Sequence, residues 1–165
     1  METIAVYWEP KIRIYGLTIE TGLSLYTLTF PVARLVCWGG VIRSLGLKGT
    51  EFLLVNLQQA SAGTMQLCLV PMAGAGAADV AKLLAKGLEN QTVDHLQVTE
   101  AVELIYLHGP HFQDRYGIAE AALRPLHNAG IPILSAGCAG TSVSIVVSEH
   151  RAREVATCLA ETFVL

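Results

Sequence analysis

Four stretches of the chain combine residue types that can do chemistry. His108-Gly109-Pro110-His111, with Asp114 three residues further on, offers imidazole and carboxylate donors of the kind that hold zinc. Zinc needs three or four donors converging in space, and the intervening Gly-Pro bends the chain, so these residues read as loop histidines. Ser135-Ala136-Gly137-Cys138-Ala139-Gly140 has the look of a nucleophile elbow. It lies between two predicted strands and not at a strand-to-helix turn, so it reads as a hairpin. Gly74-Ala75-Gly76-Ala77-Ala78-Asp79 follows a strand and opens a helix, as a dinucleotide loop does, but Asp79 stands where the third glycine is needed. The fourth stretch, Asp114 to Ala119, is different in kind. A glycine where strand turns into helix lets the backbone approach a ligand closely, and the unpaired amides of a first helical turn attract a carboxylate. Asp114 supplies an acceptor for an ammonium group, so Asp114 and Gly117 together could clamp a zwitterion. The plainer alternative is that Asp114 caps the helix and Gly117 relieves crowding at a tight junction.

Composition narrows the classes of function. The chain has 165 residues, 52% hydrophobic and 15% charged, with a mean hydropathy of +0.47. That is too apolar for disorder, and apolar enough to expect burial against a second subunit. A net charge of −3 offers no footprint for nucleic acid or for an anionic membrane surface. No apolar run reaches the roughly 18 to 20 residues of a membrane span. Met1 to Arg13 carries Glu2, Glu9, Lys11 and Arg13, which does not fit a signal peptide. Cys37, Cys68, Cys138 and Cys158 are scattered without a paired motif, as expected of reduced thiols in a cytoplasm. No glycine-rich phosphate loop with a lysine is present, so phosphotransfer is not expected. No cofactor or metal is implied.

Periodicity supplies the elements that must position the Asp114 stretch. Leu23 to Thr29 alternates as a strand, and Pro31 suits the first turn of a helix whose apolar stripe is Val32, Leu35, Val36, Gly39 and Ile42. Leu53, Val55 and Leu57 mark a second strand, and Met65 to Val70 a third after a turn at Ser61-Ala62-Gly63. Ala77, Val80, Ala81, Leu84 and Leu88 form the next helix, followed by a polar linker from Asn90 to His95. The same order then recurs. Val102, Leu104 and Tyr106 mark a strand; Ile118, Ala122, Leu126 and Ala129 a helix kinked by Pro125 and ended by Gly130. Ile131 to Leu134 is extended, Val143, Ile145 and Val147 alternate, and Ala152, Val155, Ala156, Leu159 and Phe163 close the chain as a helix. The expected fold is α+β: two ferredoxin-like βαββαβ units, with helices on one face of antiparallel sheets. Residues 22–92 form the first unit; residues 98–165 form the second, to which 11–19 contribute a strand.

The run "DRYGIAEAALRPLHNAGIPIL", residues 114–134, resembles the ACT family of amino-acid-binding regulatory domains. Asp114, Arg115, Gly117, Ile118, Gly130, Ile131 and Ile133 match that family's acid-glycine loop, helix and second strand. "GTSVSIVVSEHRAREVATCLAETF" and "LQQASAGTMQLCLVP" are similar to the tandem ACT region of aspartate kinases, over roughly residues 12–165. Tyr116 stands in place of the loop proline and Pro132 in place of the asparagine often used to hold the ligand. The first copy has Thr29-Phe30-Pro31 where the loop would be.

The resemblance implies a tandem ACT fold, allosteric amino-acid binding and a homodimer. Its implied ligand-binding residues are Asp114, Arg115, Tyr116, Gly117, Ile118, Ala119, Pro132 and Ile133, with Gln58 and Gln59 in the first copy. Its implied function is that of a stand-alone regulatory protein that binds an amino acid of the aspartate family and modulates a partner enzyme such as aspartate kinase. The alternative is an ACT module that only dimerises, with no ligand. Gln58 and Gln59 also suit a solvated polar strand end.

Overall fold

The structure is a computed structural model, which describes residues 11–74, 77–88, 94–110, 112 and 116–165. Eight strands and four α-helices follow one another among these residues. In chain order they are β1 (Ile12–Arg13), β2 (Gly16–Pro31), α1 (Leu35–Leu47), β3 (Phe52–Ser61), β4 (Thr64–Pro71), α2 (Ala77–Leu88) and β5 (His95–His108). Then come α3 (Ile118–Asn128), β6 (Ser135–Ala139), β7 (Ser142–Ser148), α4 (Ala152–Leu159) and β8 (Phe163–Val164). The chain divides into two compact units, one of Glu20–Glu103 and one of Leu104–Leu165 with the residues up to Ile19. The long strands β2 and β5 therefore each belong partly to both.

The unit of Glu20–Glu103 runs βαββαβ, with strand order β3-β4-β2-β5. This is the ferredoxin-like arrangement expected from the alternation of patterns. β3 and β4 form an antiparallel hairpin turning at Gly63, whose φ of +76° requires glycine. β4 pairs antiparallel with β2, Tyr26 opposite Leu69 and Phe30 opposite Met65. The core gathers Tyr26, Leu28, Phe30, Trp38, Leu45, Leu67, Leu69, Val80 and Leu84.

α1 departs from its expected face. Pro31 ends β2 in extended conformation, and a single 3-10 turn, Val32–Arg34, precedes the α-helix. That extra turn changes the helical phase. Val32, Leu35, Val36 and Gly39 are exposed, and the buried face is Trp38 and Leu45 flanked by Val41 and Ile42. Trp38 has the largest apolar surface in the segment, and burying it dominates the choice of face.

The second unit repeats the order in β5-α3-β6-β7-α4, with strand order β5-β7-β6. β1 adds itself alongside β8 in parallel, Ile12 opposite Phe163. Its core gathers Ile105, Leu107, Phe112, Ile118, Leu126, Val143, Ile145, Val147, Val155 and Leu159 among others. Four details differ from the periodicity reading, the first being Phe163, which stands in β8 and not in the closing helix. Val102 to Ile105 are buried without alternation, and it is Ile105 and Leu107 that face the core while Tyr106 is exposed. Ile131 to Ile133 lie outside the regular strand, since Pro132 has no amide to give a ladder; β6 begins at Ser135. Ser135 to Gly140 is consequently strand β6 plus the first residue of its turn, and not itself the hairpin loop. α3 continues three residues past Pro125 and ends at Gly130, φ +68°.

Candidate functional site

The structure describes the expected junction from Tyr116 onward; Asp114 and Arg115 lie outside the described residues, as does His111. Tyr116 is fully exposed. Gly117 is the N-cap of α3, with φ +82° and ψ +9°, and its carbonyl accepts the first helical hydrogen bond from Ala121 N–H at 2.8 Å. No side chain of the N-cap satisfies the first-turn amides, because glycine has none. A Cβ at Gly117 would meet nothing within 4 Å, so the glycine is there for its left-handed backbone and not to relieve crowding. Ile118 is buried in the core and fixes the helix start; Ala119 is half-buried beside it.

Pro132 and Ile133 follow the other end of α3. An 11-residue helix separates them in sequence from Gly117, and Ile133 packs on the core while Pro132 is exposed. At roughly 1.5 Å per residue the helix spans about 16 Å, so within one chain α3 holds these two groups at its opposite ends. Gln58 and Gln59 belong to the other unit, on β3. Gln58 Nε2 donates to Gln66 Oε1 at 2.8 Å across the hairpin, and Gln59 Nε2 donates to the Ser61 carbonyl at 3.2 Å. Both are exposed and already engaged with their own hairpin.

The other chemical candidates resolve as follows. Among the described residues no group of three or more His, Cys, Asp or Glu could hold a metal ion. The His108 ring lies tilted against Tyr15 with centroids 5.3 Å apart, and Gly109 N–H donates to Thr141 O. Gly109 itself is a steric requirement, since a Cβ would come within 2.5 Å of the Phe112 ring. All four cysteines are free thiols. Among the described residues no helix is long and apolar enough to cross a membrane.

Two features carried no sequence signal because their residues come from separate elements. In the unit of Glu20–Glu103, the Asp94 carboxylate is fully buried and accepts from Arg34 Nε at 3.0 Å and Trp38 Nε1 at 2.9 Å. In the second unit a cleft of about 410 Å³ opens between the ends of α3 and α4. Arg124, Asn128, Cys158, Glu161 and Thr162 line it.

No protein-family model matches the chain, and no curated protein sequence does either. Solved structures do match. The regulatory subunit of aspartate kinase from Thermus thermophilus, in its ligand-free form, superimposes with a TM-score of 0.75 at 10% identity. The match covers 92% of this chain and 99% of that one. A structure of aspartokinase alpha and beta subunits gives 0.75 at 13% identity, covering 90% and 97%. Aspartokinase III of E. coli, complexed with aspartate and ADP, gives 0.67 at 17% identity; the match spans 94% of this chain but only 34% of that enzyme. At these identities the likeness is one of fold. The chain has the α+β fold of the aspartate kinase regulatory subunits on which it superimposes.

Proposed function

We propose that this protein is a regulatory tandem ACT protein that binds an amino acid, of the aspartate family, and modulates a partner enzyme such as aspartate kinase. The observation that carries the proposal is coverage: nine-tenths of the chain matches nearly the whole of the aspartate kinase regulatory subunits from Thermus thermophilus and Thermus flavus. The ligand's carboxylate meets the first-turn amides of α3 at Gly117; Asp114, the sequence's candidate for the ammonium, lies outside the described residues. The chain itself performs no phosphotransfer and acts without a cofactor.

A homodimer is part of this reading. β3 is the sheet edge of its unit, ten residues long and without a single charge. Its Val55 and Leu57 are exposed, as are Val32 in the 3-10 turn and Val36 on α1. Long uncharged edges invite pairing with another chain, and a second copy offers a self-complementary one.

The test is a thermal-shift screen against the twenty amino acids, followed by kinase assays of a separate aspartate kinase catalytic chain with and without this protein. A ligand at 100 times its Kd raises stability by about 2.7 kcal/mol when it binds only the folded state. Absence of any shift, with no effect on the kinase, would sink the proposal. It would leave the ligand-free dimerisation module, which one observation favours: β2 passes directly into the 3-10 turn, and Val32 N–H is taken by Gly63 O at 2.8 Å, so the first unit has no open loop.

A further inference from the structure

We infer that the cleft between the ends of α3 and α4 is a second small-molecule site, distinct from the Gly117 loop, for a compound carrying an ammonium group at one end and a carboxylate at the other. The cleft measures about 410 Å³, several times the volume of such a molecule, and lies in the helix layer. It presents one cation and one anion from different helices: Arg124 in α3 and Glu161 just past α4. Asn128, one turn beyond Arg124, and Thr162 add neutral hydrogen-bonding groups.

The ammonium end is assigned by electrostatics. The last turn of α3 and the residues ending α4 both line the cleft, and helix C-termini carry partial negative charge that favours cations. Glu161 adds a full negative charge there. The Ala160 carbonyl, beside Glu161 in sequence but not part of the cleft lining, is already taken by Lys11 Nζ at 2.8 Å. The carboxylate end falls to Arg124. Its Nε is 3.0 Å from Glu120 in an exposed pair, which leaves the guanidinium well solvated and cheap to redirect. A guanidinium takes a carboxylate in bidentate geometry, so one arginine suffices. Cys158, half-buried on the cleft wall, is a built-in reporter.

The test uses the full chain and a ladder of ω-amino acids from glycine to 6-aminohexanoate, with butylamine and butyrate as single-charge controls. Binding is read by calorimetry and by the alkylation rate of Cys158, followed peptide by peptide. At least one member of the ladder should saturate and slow Cys158 alkylation, and each control should bind at least about tenfold more weakly. Arg124→Gln and Glu161→Gln should each weaken that binding about tenfold with unchanged melting curves, since both side chains are surface groups. Gly117→Ala should leave it intact, which separates this site from the loop site. The inference is overturned if no compound saturates, if single-charge controls bind as well, or if both cleft variants bind like wild type. Loss of binding in Gly117→Ala alone would place the compound in the loop and likewise overturn it.

Discussion

At the residue scale, backbone conformation and burial decide what individual positions tolerate. Gly117 sits at φ +82°, a region that costs an L-residue roughly 1–2 kcal/mol, and more when the side chain is β-branched. Gly117→Ala is therefore expected to destabilise by about 1 kcal/mol and Gly117→Val by more, in equilibrium urea unfolding without any ligand. This intrinsic cost must be subtracted before any effect on binding is attributed to the loop. Tyr26 gives a pH signature. Burial, reinforced by the nearby charge of Glu100, raises its pKa above the ordinary tyrosine value of 10.0. The folded state then holds the phenolic proton where the unfolded chain has lost it, so this contribution is complete below pH 10 and disappears as pH rises through the folded pKa. Tyr26→Phe should flatten the alkaline fall in melting temperature; an unchanged alkaline limb would show that other groups control it. Of these two residues, the glycine announced itself in the sequence by its place before a helix. The tyrosine did not, because its burial depends on strands and helices remote in the chain.

At the scale of elements, α1 shows where sequence patterning stops. The order of strands and helices was legible because period-2 and period-3.6 runs alternate with glycine turns. The rotation of α1 was not, because Leu35 and Val36 are as apolar as the residues that are buried. Tertiary contacts made the choice: Trp38 packs against Phe30, ring centroids 6.0 Å apart, and its Nε1 reaches Asp94. Likewise the site candidates at Gly117 could be read from a short motif, whereas Arg124 and Glu161 share a cleft only after α3 and α4 have folded. The α1 packing makes opposite predictions for two glycines in neighbouring helices. Gly39 is exposed with nothing near its missing Cβ, so Gly39→Ala should stabilise by about 0.5–1 kcal/mol. Gly87 in α2 would put a Cβ 2.8 Å from the Trp38 ring, so Gly87→Ala should destabilise despite its better helix propensity. Asp94→Ala should cost about 3 kcal/mol, the low end for breaking a buried pair, since Arg34 keeps some contact with water. Chemical denaturation of the three variants ranks them directly.

At the scale of the whole molecule, the question is what covers the apolar surface that one chain leaves open. Val36 is 88% exposed and Leu47 78%, while Val32, Val55 and Leu57 are each about half exposed. All five belong to the 3-10 turn, α1 and β3, a run of elements in a single unit. Natural edge strands are usually guarded by lysine, proline or a bulge, but Phe52–Ser61 carries neither of those residues. Its ladder irregularities fall between Phe52 and Leu54 and between Gln59 and Ser61, leaving the middle of the strand regular. An edge of this kind is a liability in water, which pairing with a second copy would remove. If the exposed face of α1 meets that seam as well, Gly39 and Gly40 leave room for close approach. A single charge in the middle of that seam is therefore the sharpest intervention. Val55→Lys should shift the protein from dimer to monomer in sedimentation equilibrium at micromolar concentration, while leaving the fold intact because Val55 is not part of the core. Gly39→Ala in the wild-type background separates the two contributions: a more stable helix with a weaker dimer would place α1 in the seam. A dimer that survives Val55→Lys unchanged would move the interface away from β3 altogether.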